Sequence, residues 1–296
     1  PPVAGLLAVT NTWSFPTPAG LALLTVVLAP ADARSLLPES LADRFPETAV
    51  WREGSRLAVG LGVAVAVVAL GLLWSLPFWL GPASGRGIAV LPDRSSLTEL
   101  LLVHGLFLGT FLAYLAARGR QRFGERATTA TVGAAVVIGG FAVLDLAALG
   151  LFVPLVGACW ALARRPGTSP STAAPAGDTD RARSDGGAAS AGFETVLIVA
   201  GIGLVTLIEF VYLKESTGRM NTVFKVSMQV WVLWSLALGP ALAWVFTNRA
   251  TVPADTLGRV RSALPRVALA VLVVGAGLYA PLAATTAFDG SDPTLD

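Results

Sequence analysis

The charged side chains from Glu209 to Lys225 are the residues of this sequence whose types and spacing could do chemistry. Lys214 and Lys225 are the only lysines among 21 cationic side chains, and Arg219 lies between them. Such cations bind anionic groups such as phosphate. A carboxylate beside them, here Glu209, could fix their geometry or act as an acid or base. This stretch is therefore the first candidate for a functional site.

Polar side chains continue from this stretch at helical spacing. Asn221, Lys225 and Gln229 are four residues apart, so one face of a helix carries all three. A polar stripe on an otherwise apolar membrane helix faces protein or a water-filled cavity instead of lipid. A helix that starts near Asn221 would add free N–H groups and the positive end of its dipole.

Two interpretations of this segment stay open. In the structural one, Glu209 and Lys225 form a buried ion pair that fastens two membrane helices, and the two amides bond across helices. In the functional one, Arg219, Lys225 and Lys214 form an anion site near the outer membrane face, and Glu209 orients them or transfers a proton. The two interpretations are compatible with each other.

A second polar element runs from Asn11 to Thr17 and contains Trp13. Thr17 followed by Pro18 predicts a helix start, with a capping side chain and then a proline at the first helical position. The positive end of this helix would point outward, like that of the helix near Asn221. In the alternative interpretation, Trp13 is an aromatic residue of the membrane interface and the prolines only interrupt the chain.

The composition indicates which elements position these residues. The 296 residues are 54% hydrophobic and 14% charged, with a mean hydropathy of +0.68, which is typical of an integral membrane protein. Recurrent apolar stretches predict an all-α transmembrane helix bundle of about eight membrane segments. They cover residues 18–30, 57–80, 100–117, 127–144, 146–163, 195–213, 226–248 and 267–288. The first stretch is too short to span a bilayer alone.

The arginines predict the orientation of the bundle. They follow the first, third, fifth and seventh segments, and short cytoplasmic loops are enriched in them. The Asn11–Thr17 element, the turn at Asp145 and the Glu209–Lys225 stretch then lie on the outer side. We therefore expect a multi-pass protein of the cell membrane with its polar features outside.

A polar stretch divides the chain. Residues 166–192 are rich in Pro, Gly, Ser, Thr and Ala and lack an apolar period, so we expect a disordered cytoplasmic linker there. Membrane segments one to five then occupy residues 1–165. Segments six to eight, with the external motif from Glu209 to Lys225, occupy residues 193–296.

The remaining counts exclude several kinds of site. Cys159 is the only cysteine and His104 the only histidine, which excludes an internal disulfide and a zinc cluster of these residues. A net charge of +2 does not indicate a nucleic-acid surface. Asp289, Asp292 and Asp296 could bind a divalent metal, but their spacing defines no ligand set, so the cofactor is unknown.

Two stretches carry a family resemblance. Glu209-Phe-x-Tyr followed by Arg219-Met-Asn-Thr-Val-Phe-Lys225 resembles the signature of the Chlor_Arch_YYY polytopic membrane proteins. Asn11-Thr-Trp-Ser-Phe-Pro-Thr17 resembles the Asn-Thr-Trp-Asp-x-Pro-Thr element of the same family. The two stretches together make the resemblance fairly specific.

The sequence also departs from the family pattern. Ser14 occupies the position at which the first element of the family carries Asp, which puts a metal or base role there in doubt. Thr294-Leu-Asp296 resembles the start of a further family element, Thr-Leu-Asp-Gly, and we expect a chain that is truncated at both ends.

Members of this family are distantly similar to the GT-C membrane glycosyltransferases, which use polyprenyl-phosphate sugars at the outer face. The resemblance implies Arg219 and Lys225 as ligands of the lipid phosphate and Asn221 as a hydrogen-bonding ligand. It implies Glu209 as their partner or as a catalytic carboxylate. The candidate substrate-binding set is completed by Lys214, Gln229, Asn11 and Trp13.

Three functional hypotheses follow. The first is a glycosyltransferase that uses a polyprenyl-phosphate-linked sugar at the outer face, with membrane lipids and no nucleic acid as partners. The second is a transporter or flippase of a lipid-linked or anionic substrate, and the third is a non-catalytic membrane scaffold. A transporter predicts polar lining toward the inner face, whereas the seventh segment is uniformly apolar after Ser235.

Overall fold

The computed structural model describes residues 2–42, 48–81, 87–164, 192–213, 219–247 and 256–288. The chain is an all-α protein, and eleven helices lie within these ranges. They are α1 Pro2–Thr10, α2 Pro16–Leu28, α3 Glu39–Ala42, α4 Ala49–Trp74, α5 Leu76–Leu80, α6 Leu97–Phe123, α7 Glu125–Val143, α8 Ala147–Ala163, α9 Phe193–Ile208, α10 Arg219–Thr247 and α11 Thr256–Phe288. The predicted linker, apart from Gly192, lies outside the described residues, as do Lys214 and the tail from residue 289.

Each of the predicted membrane segments overlaps a helix, but the sixth, residues 195–213, is helical only to Ile208 and ends in a strand at Val211–Leu213. Five described helices are long and apolar enough to cross a membrane, namely α4, α6, α7, α10 and the part of α11 from Arg266 to Thr285. Three shorter apolar stretches, Thr12–Leu28, Ala147–Ala163 and Phe193–Ile208, stand at the other predicted positions. The chain is thus a multi-pass membrane protein.

Helix α2 packs closely along α4. A Cβ atom added to Gly60 of α4 would lie 3.0 Å from Leu23 Cδ1, and one added to Gly71 would lie 2.8 Å from the ring of Phe15. Ala4 of α1 reaches the same glycine, at 3.2 Å. Helices α1 and α2 therefore both meet α4 near Gly71, and the chain between them turns at a short 3-10 helix, Thr12–Ser14.

Helix α9 lies at the centre of the buried core. It packs against α2, α8 and α10, and its residues from Thr195 to Ala200 are all buried. Gly201 allows the closest approach, because an added Cβ would lie 2.1 Å from Nε1 of Trp234 on α10. The Trp234 indole donates its N–H to the backbone carbonyl of Ile198 at 3.1 Å. Helices α9 and α10 are therefore held together at the middle of their length.

A two-stranded antiparallel sheet joins the loop before α6 to the chain after α9. Strand β1, Ile88–Val90, pairs with strand β2, Val211–Leu213, with Ala89 opposite Tyr212. The backbone N–H of Leu91 continues the pairing by donating to the carbonyl of Phe210 at 2.8 Å. These strands were not predicted from the sequence. Their pairing brings residues 93–96 to the end of α9.

The helices define two ends of the bundle. We call the end that carries Arg56, Arg118 and Arg164 the inner end, and the end that carries Glu209 the outer end, following the orientation that the arginines predict. At the inner end arginines donate to helix carbonyls, for example Arg122 to Leu162 at 2.6 Å. The candidate functional residues lie toward the outer end.

Candidate functional site

Glu209 is the centre of a buried polar cluster at the outer end. It follows the last turn of α9 and is 4% exposed. Its carboxylate accepts hydrogen bonds from the backbone N–H of Ser95 at 2.9 Å and from the Ser95 hydroxyl at 2.7 Å. The guanidinium of Arg219, the first residue of α10, lies 2.5 Å from the same carboxylate. We call Glu209, Ser95 and Arg219 the outer clasp.

Arg219 extends the clasp to the loop before α6. Its Nη1 donates to the backbone carbonyl of Asp93, and its Nη2 lies 3.3 Å from the Ser95 hydroxyl. One guanidinium therefore joins α10, the end of α9 and the loop that follows β1. The predicted ion pair of Glu209 with Lys225 is wrong, because the guanidinium of Arg219 occupies that position.

Lys225 lies on α10 without an ion pair to any described residue. Asn221, Lys225 and Gln229 are all half-buried, while Phe224 and Met228 beside them are exposed. The predicted polar stripe on one helix face is thus confirmed. An ammonium that is partly withdrawn from water, with no carboxylate within 4 Å among the described residues, favours a negatively charged ligand.

Gln229 connects this stripe to the Asn11–Thr17 element. Its side-chain N–H group donates to the backbone carbonyl of Trp13 at 3.2 Å and to that of Lys225 at 3.3 Å. Its carbonyl oxygen accepts from the hydroxyl of Thr17 at 2.6 Å. The two polar elements found in the sequence therefore meet, and the contact lies one helical turn beyond Lys225 along α10.

The start of α2 differs from the prediction. The helix begins at Pro16 with Phe15 at the capping position, and no side chain caps it. Thr17 does not cap α2, because its hydroxyl donates to Gln229. Asn11 instead caps the 3-10 helix, since its side-chain oxygen accepts from the N–H of Trp13 at 3.3 Å. Trp13 is buried, so it does not lie at an exposed membrane interface.

Comparison with known proteins places the chain in a family. The model of an uncharacterized membrane protein family, DUF2298, matches residues 1–234. The chain belongs to this family. The match covers the Asn11–Thr17 element, the outer clasp and the polar stripe. A search of the curated proteins and a search of the solved structures each gave no match.

A small cavity lies beside the outer clasp of this DUF2298 protein. It has a volume of about 10 Å³, enough for roughly one water molecule, and Glu209 contributes to its wall. The turn between α7 and α8 forms another wall through Asp145 and the first residues of α8. Asp145 has a φ of 57°, which the tight turn requires. The clasp therefore borders a small recess whose wall is mostly apolar.

Sequence reasoning missed the partners of Glu209. Ser95 carried a signal only as the neighbour of Ser96, which forms a capping box with Glu99 at the start of α6. The carbonyl of Asp93 carried no signal, because a backbone acceptor has no residue type. Neither contact could be predicted, because the strands whose pairing brings Ser95 and Asp93 to Glu209 are only three residues long.

Metal-ligand clusters are not found in the described part of this DUF2298 chain. No group of three or more His, Cys, Asp or Glu side chains there could hold a metal ion. The acidic tail with Asp289, Asp292 and Asp296 lies outside the described residues, as does Lys214. The described site therefore consists of cations, amides and one buried carboxylate.

Proposed function

We propose that this DUF2298 protein is a transferase that moves a sugar from a polyprenyl-phosphate donor at the outer membrane face, within a GT-C-like helix arrangement. The proposal rests mainly on Lys225, whose half-buried ammonium group forms no ion pair with any described residue. In the proposed reaction it binds the donor phosphate. Its charge offsets the negative charge that develops on the phosphate as the bond to the sugar breaks.

The elements around Lys225 support an anion site. Asn221, one turn before Lys225, adds an amide to the same helix face, and Gln229 fixes the start of α2 one turn after it. The first turn of α10 has free N–H groups at the outer end, and α2 adds only those of Thr17 and Ala19, because Pro16 and Pro18 have none. In this proposal Asn11 and Trp13 line the site opposite α10, because the carbonyl of Trp13 accepts from Gln229 and Asn11 caps the same 3-10 turn. A phosphate placed there would meet one cation and several hydrogen-bond donors.

The outer clasp has a positioning role in this proposal. Both oxygens of Glu209 already accept hydrogen bonds, and Arg219 is bound to Glu209 and to the Asp93 carbonyl. We therefore assign Arg219 to fixing the first turn of α10, with Glu209 as its partner. Lys225 is the phosphate ligand. The resemblance implied that both Arg219 and Lys225 bind the phosphate, whereas this proposal gives that role to Lys225 alone.

A genetic complementation experiment tests the proposal. The gene is deleted, and the strain is complemented with wild type, Lys225→Ala, Lys225→Arg or Arg126→Ala. Polyprenyl-phosphate sugars and glycosylated products are then profiled by mass spectrometry. Arg126 is an exposed cation on α7 and serves as the matched control. We expect the deletion to accumulate donor lipid and shorten one glycan, and wild type and Arg126→Ala to reverse both.

The lysine variants identify the site. We expect Lys225→Ala to fail and Lys225→Arg to restore part of the glycan, because arginine keeps the charge but changes its reach. Unchanged lipid and glycan profiles in the deletion strain would exclude the transferase. If the donor lipid accumulates but stays inaccessible to a membrane-impermeant hydrolase, the protein instead moves that lipid across the membrane.

A further inference from the structure

A second charged cluster lies at the inner end, remote from the proposed transferase site. Glu53 of α4 accepts from Arg164, at the end of α8, at 2.5 Å, and from the indole N–H of Trp160 at 3.3 Å. Arg56, one turn after Glu53, lies 3.8 Å from the same carboxylate. Two guanidinium groups therefore share one carboxylate. We call Glu53, Arg56 and Arg164 the inner cluster.

The inner cluster also holds the end of α2. Arg164 donates to the backbone carbonyl of Val27 at 2.9 Å, and Arg56 donates to that of Ala29. These are carbonyls that the helix itself leaves unpaired at its C-terminus. The side chains of Arg56 and Arg164 are only 11% and 17% exposed, whereas Glu53 is 35% exposed. The cluster is therefore open to its surroundings on the Glu53 side.

Three donor atoms of the inner cluster have no acceptor among the described residues. They are Nε of Arg56 and both Nε and Nη1 of Arg164, and all three are buried. A buried N–H of a charged group without an acceptor is costly. By contrast Arg118, which is more deeply buried, meets Glu194 and Tyr114. The inner cluster therefore has more donors than the described acceptor oxygens satisfy, and guanidinium donors suit the oxygens of a phosphate.

The charges around the cluster favour an anion. Asp32 is bound to Arg34, whose side-chain hydrogen bond lowers the pKa of the Asp32 carboxyl, so this pair stays ionised and neutral as a whole. Glu53 offsets one of the two cluster arginines, and the exposed Arg52 adds a further positive charge nearby. The net charge of these groups is positive. With the orientation that the arginines predict, the start of α4 would lie among the lipid headgroups of the cytoplasmic face.

We propose that Arg56 and Arg164 bind a phosphate group at the inner end of α2. The phosphate oxygens supply the acceptors that the three buried donors lack, after the guanidinium groups turn toward the open Glu53 side. A phospholipid headgroup and a free phosphate share this chemistry. The proposal does not depend on the transferase function, because the inner cluster and Lys225 lie at opposite ends of the bundle.

Native mass spectrometry of the purified full chain in detergent tests this site. The probes are phosphatidylglycerol, diacylglycerol, which lacks the phosphate, and glycerol 3-phosphate, which lacks the acyl chains. We expect phosphatidylglycerol to bind, and Arg56→Gln with Arg164→Gln to weaken it about tenfold, as expected for loss of charge-assisted hydrogen bonds. Arg126→Gln, which removes an exposed arginine of α7, is the control and should leave binding unchanged.

Glu53→Gln keeps the test decisive if the arginine variants do not fold. It removes the competing carboxylate charge, so we expect phosphatidylglycerol to bind equally or more tightly and to raise the melting temperature more than in wild type. A merely structural ion pair predicts destabilisation that lipid does not relieve, which would overturn the proposal. Equal binding of diacylglycerol would also overturn it. Competition by glycerol 3-phosphate would identify a soluble phosphate ester as the ligand.

Discussion

Helix α9 has a glutamate at each end, and the two glutamates, the buried Glu209 and the partly buried Glu194, have different surroundings. Glu209 at the outer end binds Arg219 and both donors of Ser95. Glu194 at the inner end lies 3.4 Å from Arg118 and accepts from the backbone N–H of Gly192 at 2.9 Å. The outer pair therefore orders a loop and the start of a helix, whereas the inner pair locks helices to one another.

The cation partners show the same difference. Arg118 is 7% exposed and lies between the rings of Tyr114 and Trp244, at 5.4 and 5.6 Å from their centroids. It thus joins α6, α9 and α10 with little access to solvent. At the outer end the described part of the chain leaves Lys225 without an ion pair. The charge of Arg118 is therefore neutralised inside the bundle, whereas no described carboxylate neutralises that of Lys225.

Removing the inner glutamate should have the largest effect. Glu194→Ala leaves the buried Arg118 charge without its carboxylate, and we expect a loss of about 3 kcal/mol in the free energy of unfolding, measured in detergent. Arg118→Leu in the same chain should recover part of the loss, because the uncompensated charge is then absent. A double variant as unstable as the sum of the single variants would contradict this coupling.

Substitution at the close contact between the middle of α9 and α10 should have the next largest effect on stability. Gly201→Ala places a methyl group against the indole of Trp234, and we expect about 2 kcal/mol of destabilisation from overpacking. Gly203→Ala is the matched control, since an added Cβ there meets no atom within 4 Å. Equal thermal stability of the two variants would show that the close contact of α9 with α10 does not determine stability.

Opening the outer clasp should have a smaller and more local effect. In Arg219→Gln the carboxylate of Glu209 keeps both donors of Ser95, so we expect about 1.5 kcal/mol of destabilisation. Faster amide hydrogen exchange should be confined to residues 88–96 and to the first turn of α10. If exchange instead rises along all of α9, the outer clasp stabilises the bundle as the inner pair does, and the distinction between the ends fails.

The contact between the polar stripe and α2 should give the smallest effect. Thr17→Val keeps the shape of the side chain and removes its hydrogen bond to Gln229, which should cost about 1 kcal/mol. Thr25→Val is the control, since the hydroxyl of Thr25 binds only within its own helix at Leu21. A Thr17→Val variant that is no less stable than the control would show that the polar stripe and α2 are fixed independently.

The membrane helices and the polar stripe of α10 could be predicted from the sequence. The apolar stretches located the membrane helices, because a bilayer demands about 20 consecutive apolar residues and that demand is visible in a single chain. The stripe from Asn221 to Gln229 was predictable because helical spacing alone places these residues on one face. The partner of that stripe, the turn at Trp13, was found as a motif but not as a contact.

Features that depend on distant pairing were not predictable. Glu209 had two candidate cations, and the choice of Arg219 depends on where α10 begins, which sequence signals locate only within a few residues. Glu194 was overlooked because an acidic residue in the first turn of a helix is commonplace. Its role depends on Arg118, 76 residues earlier in the chain, which the sequence analysis used only to indicate topology.

Helices α9 and α10 pack closely against helices from the first part of the chain, so the two parts can hold together without a continuous peptide chain between them. Residues 192–247 contact α2, α6 and α8, and β2 pairs with β1, so helices from both sides of the linker form one core. A break in the peptide chain between residues 165 and 191 leaves all these contacts intact. Two separately translated fragments, 1–165 and 192–296, should therefore recognise each other in the membrane and reconstitute the protein.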